Sequence, residues 1–183
     1  PHGNAHPLDC LKRASELIGY EQCLSEQRAS ANERYRIGVG LAVGAHGNGM
    51  FGIRTDITAM VLKMNDDGSC VLFSGSHEMG NAAITMQKQM VSEVLGLPMD
   101  MISAVSADTE LTPYQLGDYS SRGAFVSGRA AMEVSLDMRS KLASLASEQL
   151  GASADSLGFS GGRATSPDGT GVSIGEIVQF ARH

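Results

Sequence analysis

The chain has no Trp, and aromatic residues make up only 5% of its 183 positions. An interior so poor in rings must be built from aliphatic side chains, Met and Ala with many close backbone approaches. Cysteine is also scarce. Cys10, Cys23 and Cys70 are widely spaced and form neither a disulfide framework nor a CxxC or iron–sulfur pattern, which favours a reducing, cytoplasmic setting. Basic residues are outnumbered, 14 Lys and Arg against 20 Asp and Glu, for a formal net charge of -6. That balance argues against a general nucleic-acid or anionic-membrane surface, because both require clustered cations. An anionic ligand must therefore be held locally. No apolar run approaches the length of about 20 residues needed to span a bilayer, and no segment has the pattern of a secretory leader.

What the chain does contain is 42% hydrophobic residues, 22 Gly and 10 Met. A chain of this length buries about 70% of its unfolded surface around a single core, and this composition suits an α/β or α+β domain. Residues Leu8, Leu11, Ala14, Leu17 and Ile18 have helical spacing that stops at Gly19, which predicts a short helix from Pro7 to Leu17. The polar, aperiodic stretch from Glu21 to Glu33 reads as a linker. From Arg34 to Gly44 apolar residues alternate with Gly or Ala, which predicts a strand followed by a glycine-rich loop over Gly44 to Gly52.

Thr55 to Met64 and Ser69 to Ser76 are apolar runs flanking Asn65-Asp66-Asp67-Gly68, the chemistry of a hairpin turn. Ala83, Met86, Met90, Val94 and Leu97 step by three or four, and Gly96 and Pro98 mark the end of that helix. A buried strand over Met101 to Ala107, a long loop over Asp108 to Ser121 and a long helix over Gly123 to Leu150 follow. Leu157 to Ala164 and Gly171 to Ile174 read as a last hairpin, and Ser173-x-x-Glu176 as a capping box that opens a terminal helix. The order of elements fits a two-layer α+β domain with a mixed β-sheet, hairpins and helices packed on one face. Residues 1–33 are expected to form an N-terminal helix and linker, and residues 34–183 the domain proper.

Two segments carry the chemistry. Gly75-Ser76-His77-Glu78-Met79-Gly80-Asn81-Ala82 turns from a strand into a helix, where unpaired backbone N–H groups can receive an anion. Gly117-Asp118-Tyr119-Ser120-Ser121-Arg122-Gly123 supplies hydroxyls, a guanidinium and flexible backbone ahead of the long helix. Two such openings suggest one bridged anionic ligand. The bland readings are an ordinary strand-to-helix turn in the first segment and a Ser120 or Ser121 helix cap in the second. Arg122 has Asp118 or Asp108 as an alternative, purely structural partner. His77-Glu78 can be read as an acid–base pair, but with no second orienting group nearby in sequence His77 reads as a loop residue.

The run from Gly75 through Thr85 and Gln89 to Asp108-Thr109, Pro113 and Ser121-Arg122 resembles the molybdopterin-binding domain of the xanthine dehydrogenase and aldehyde oxidase family of molybdenum hydroxylases. The likeness spans roughly Arg34 to Leu150 and consists of several separate motifs in order. In that family a Met-Gly-Gln-Gly loop contacts the pterin and its phosphate, which by similarity implicates Met79, Gly80 and Asn81. The Ser-Arg motif likewise implicates Ser121, Arg122 and Gly123. The chain departs from the pattern at Asn81, where Gln is usual, and at Ala82, where the second Gly is usual.

The resemblance implies a cofactor-binding portion of a larger oxidoreductase acting on aromatic heterocycles or aldehydes. The cofactor is molybdenum–molybdopterin, and its nucleotide tail, the cytosine dinucleotide form included, stays open. The partners are the remaining parts of the molybdenum subunit and iron–sulfur and FAD subunits or domains. The general-base glutamate of the family lies in a later Gly-rich segment that nothing here matches, so the piece alone is expected to be inactive, with no catalytic residue and no protein metal ligand. Apolar surface left open would let it self-associate. The competing class is a non-enzymatic α/β interaction module, for which Asn81 and Ala82 are the best support.

Overall fold

The computed structural model describes residues 6–29, 34–36, 38–47, 49 and 55–182. The chain divides into two compact units, Pro1–His46 and Gly47–His183.

The first unit holds α1 (Pro7–Leu17) and α2 (Tyr20–Ala29), neither with a fully buried residue. Pro7 stands at the start of α1, where its missing N–H costs nothing, and Gly19 takes positive φ just past the end. The expected linker over Glu21 to Glu33 is instead largely helical. Its Glu, Gln, Leu and Arg residues are good helix formers, and the Gln22 amide donates to Glu26 one turn on. That helix has no apolar stripe, so periodicity could not reveal it. The expected strand over Arg34 to Gly44 is not formed among its described residues. Alternation gives a segment the faces of a strand but no ladder partner, and the Val39 N–H goes to the Gln27 side chain. Ile37 and residues 48 and 50–52 of the Gly44–Gly52 loop lie outside the described residues.

The second unit is α+β. β1 (Met60–Met64) and β2 (Cys70–Ser74) form the expected antiparallel hairpin, with Leu62 opposite Leu72. At its turn the Asn65 N–H donates to the Ser69 carbonyl, and Gly68 sits at φ 83°. A Cβ on Gly68 would lie 2.7 Å from the Gly175 nitrogen, so the turn also needs glycine for close approach. α3 (Ala83–Leu95) follows, burying Ala83, Gln87, Val91 and Leu95 at intervals of four.

The chain then returns as β3 (Ile102–Ser106), which pairs parallel to β2 with Ser74 opposite Ser106. The unit β2–α3–β3 is thus a strand–helix–strand crossover. A π-turn over Gly123–Ser127 leads into α4 (Gly128–Leu150), which buries Gly128, Ala131, Ser135, Leu142, Ala143 and Ala146, with Gly128 set against Met86 and Met90 of α3. The last expected hairpin becomes a separate three-stranded antiparallel sheet of β4 (Gly158–Ser160), β5 (Arg163–Thr165) and β6 (Gly171–Ser173). Gly161 and Gly162, both at positive φ, break the run read as one strand over Leu157 to Ala164. α5 (Ile174–Phe180) opens with the expected capping box of Ser173 and Glu176. Leu72, Val91, Leu95, Ile102, Leu142, Ile174 and Ile177 form one core between the two sheets and the helices.

Candidate functional site

Parallel strands release their following segments at the same edge of a sheet, and ligands of open α/β sheets gather beyond that carboxyl edge. Here β2 ends at Ser74 and β3 at Ser106, directly opposite one another, and the Ala107 N–H donates to the Ser74 carbonyl at 3.1 Å. The turn Gly75–Ala82 and the loop from Asp108 that carries the Gly117–Gly123 segment therefore start side by side. Gly75 is buried, and a Cβ there would lie 2.5 Å from Gln115 Cβ and 2.9 Å from the Pro113 carbonyl oxygen.

The first segment enters α3 through Gly80 and Ala82, both at positive φ. Met79, Gly80 and Asn81 are exposed, and a Cβ on Gly80 would meet nothing within 4 Å. The Glu78 carboxylate accepts the N–H groups of Gly80 and Ala82 at 3.0 Å each and of Ile84 at 3.3 Å. Burial pushes that carboxyl up, but hydrogen bonds from Ile84, Ala82, Gly80 and Asn81 outweigh it and hold the pKa below the usual glutamate value. In the structure the carboxylate itself caps these N–H groups, and a phosphate would reach them only by displacing it. The three contacts of the carboxylate show that these main-chain donors converge where an anion can sit.

The second segment carries Ser120 and Ser121 in tandem at φ 50° and 51°, with the Gly49 N–H donating to the Ser120 carbonyl at 2.6 Å. Ala82, Ala107, Ser120 and Ser121 are the non-glycine residues at positive φ among the described residues, and all four lie beyond the carboxyl edge of β2 and β3. The left-handed region costs an L-residue roughly 1–2 kcal/mol, so this edge is where the fold concentrates backbone strain. Ser121 is exposed and Gly123 half-buried.

Arg122 points the other way. Its side chain is fully buried, and its Nε donates to Asp56 at 2.7 Å, Nη1 to the Gly117 carbonyl at 2.7 Å and Nη2 to the Ile57 carbonyl at 2.9 Å. The ion-pair partner is thus Asp56 rather than Asp118 or Asp108. Gln115 adds to the same support: it pairs with Thr58 and donates to Ser127 and Asp118, both at 3.3 Å.

His77, read as a loop residue, and Glu78 beside it both have partners here. The His77 N–H and its ring Nδ1 lie 2.8 and 2.6 Å from Asp118 Oδ2. An ionised carboxylate only accepts, so Nδ1 carries the proton. Burial raises the Asp118 carboxyl, while bonds from the His77 N–H, the His77 ring and Gln115 prevail and hold it below the usual aspartate value.

Because the folded pKa values of Glu78 and Asp118 are depressed, their contribution is complete above the unfolded value of about 4 and is lost as pH falls through the folded values. Hydrogen exchange corrected for intrinsic rates should show the His77, Gly80, Ala82 and Ile84 amides losing protection below about pH 4, ahead of the core strands. Equal protection of these amides on both sides of that limit would contradict the assignment.

The structure thus defines an α+β domain with two backbone turns gathered beyond the carboxyl edge of adjacent parallel strands. The comparisons agree with that class. The profile of the molybdopterin cofactor-binding domain family matches residues 13–183, and the chain belongs to that family. It is 30% identical over 168 residues to the putative xanthine dehydrogenase molybdenum-binding subunit of Escherichia coli K12, covering 85% of this chain and 22% of that protein. It is also 30% identical over 152 residues to the gamma subunit of the 6-hydroxypseudooxynicotine dehydrogenase complex of Paenarthrobacter nicotinovorans, covering 83% of this chain and 19% of the other. Quinoline 2-oxidoreductase from Pseudomonas putida 86 has the same fold, with a TM-score of 0.67 at 19% identity over 96% of this chain and 23% of that one. The chain thus spans about a fifth of the length of these relatives.

Proposed function

We propose that this chain is the part of a molybdenum hydroxylase that grips the phosphorylated pterin between Met79–Asn81 and Ser121–Gly123. The observation that supports the reading is the joining of the two loops beyond the carboxyl ends of paired β2 and β3, where Gly75 packs against Gln115 and the His77 N–H donates to Asp118. Gly80 keeps the first opening free of side chain, so backbone can approach a ligand, and the Asn81 amide offers both a donor and an acceptor for a pterin edge. Ser121 offers its hydroxyl, and Gly123 its unencumbered backbone. Arg122 serves by fixing the loop between them through Asp56 rather than by facing the ligand.

When bound, the cofactor supplies the redox chemistry by which oxygen from water is inserted into an aromatic heterocycle or aldehyde. In this reading residues 34–183 do the holding and residues 1–33 lead into them. The iron–sulfur and flavin groups that remove the electrons reside on other chains or domains. Among the described residues no helix is long and apolar enough to cross a membrane, and the reading places the enzyme in the cytoplasm.

The test is molybdenum per subunit in the intact holoenzyme. Asn81→Ala combined with Ser121→Ala should lower it several-fold with folding unchanged, since both side chains are exposed. Molybdenum at the wild-type level in that variant would remove these residues from the site.

A further inference from the structure

Resting on that reading, we propose that His77 and Asp118 form a clasp that sets the separation of the two openings and thereby the retention of the cofactor. The pair joins the first segment to the second across 41 residues of sequence, and both its bonds end on one carboxylate oxygen, from the His77 N–H at 2.8 Å and from the ring Nδ1 at 2.6 Å. Two bonds to one acceptor fix the direction of the backbone as well as its distance. Each end is anchored in the interior. Next to His77, the buried Ser76 hydroxyl accepts from the Gln87 amide at 2.9 Å. At the other end, Asp118 Oδ1 accepts from Gln115, which also donates to the buried Ser127. The clasp therefore transmits the position of the α3 and π-turn scaffold to the exposed tips at Gly80 and Ser121.

His77 itself has 61% of its side chain exposed, so it adds little to the core. A contact of this kind changes a ligand's hold more than it changes the fold, because the openings can drift apart while the sheet beneath them stays paired. His77 is a positioning residue: it acts through the loops and need not touch the ligand.

The experiment measures release of the pterin from the intact holoenzyme, followed by the fluorescence of the freed, oxidised pterin, together with the thermal midpoint. His77→Leu should release it roughly tenfold faster, the effect of losing a charge-assisted hydrogen bond between the loops, at an unchanged midpoint. Asp118→Ala should speed release as much, with a lower midpoint because Asp118 also accepts from Gln115, and the double variant should release no faster than either single one. His77→Asn should restore slow release, because the Asn amide nitrogen takes the place of Nδ1 as donor to Asp118. Wild-type release from His77→Leu, or equal release from His77→Asn and His77→Leu, would overturn the clasp. The two failures separate cleanly. A holoenzyme that keeps its molybdenum with Asn81→Ala and Ser121→Ala sinks the site, whereas loss there with normal release from His77→Leu sinks the clasp alone.

Discussion

Arg122→Ala should destabilise the domain by about 3–5 kcal/mol, the cost of leaving a partner charge buried and unpaired. The guanidinium is wholly enclosed, and the Asp56 carboxylate it meets is only 14% exposed. Removing it strands that carboxylate and also leaves the Gly117 and Ile57 carbonyls without their donors. Among the described residues Asp56 Oδ2 has no hydrogen-bond partner, so none of them is placed to take over the charge. Arg122→Lys should recover only part of the loss, because a single ammonium cannot reproduce a fork that reaches three acceptors on two segments. Urea unfolding measures the effect directly. Adding Asp56→Ala to Arg122→Ala should return part of the stability, since the stranded charge goes with it. A loss below about 1 kcal/mol, the range of an exposed pair, would show that the guanidinium is not enclosed.

Gly75→Ala is the second large effect, and it links the fold to the site. The added methyl would meet Gln115 Cβ at 2.5 Å and the Pro113 carbonyl at 2.9 Å, and the latter is main chain that cannot rotate away. Overpacking of this kind costs about 1–3 kcal/mol, which lowers the thermal midpoint of a domain this size by roughly 2–10 °C. The strain has one direction of relief, which is to push the Asp108–Gly123 loop away from the Gly75–Ala82 turn. Cofactor content should therefore fall together with stability. A variant with the wild-type midpoint would mean that the two segments do not approach as closely as these distances require.

How much of this was legible in the sequence depends on the range of the interactions. Local chemistry read well. Asn65–Gly68 gave the hairpin, Gly96 and Pro98 the end of α3, and Ser173 with Glu176 the start of α5. α2 was missed because its helicity comes from residue propensity, with no apolar face for periodicity to detect. The strand expected over Arg34 to Gly44 is not formed among its described residues for the opposite reason, since alternation is present but no ladder partner is found among the described residues. At the site, the two openings were visible as glycine- and serine-rich turns. Their mutual support was not. Arg122 meets Asp56 across 66 residues and His77 meets Asp118 across 41, and no spacing rule names such partners. Glu78 could have been found: an acidic residue just ahead of a glycine-bearing helix start is placed to accept its free N–H groups.

The account's central claim is that both turns grip one phosphorylated ligand, and a crystal structure of the loaded holoenzyme tests it most directly. Anomalous scattering would locate the molybdenum, and the density the pterin phosphate. The expected result is pterin or phosphate oxygens about 2.7–3.2 Å from donors of both Met79–Asn81 and Ser121–Gly123. A cofactor bound against only one of these segments, or against neither, would contradict it.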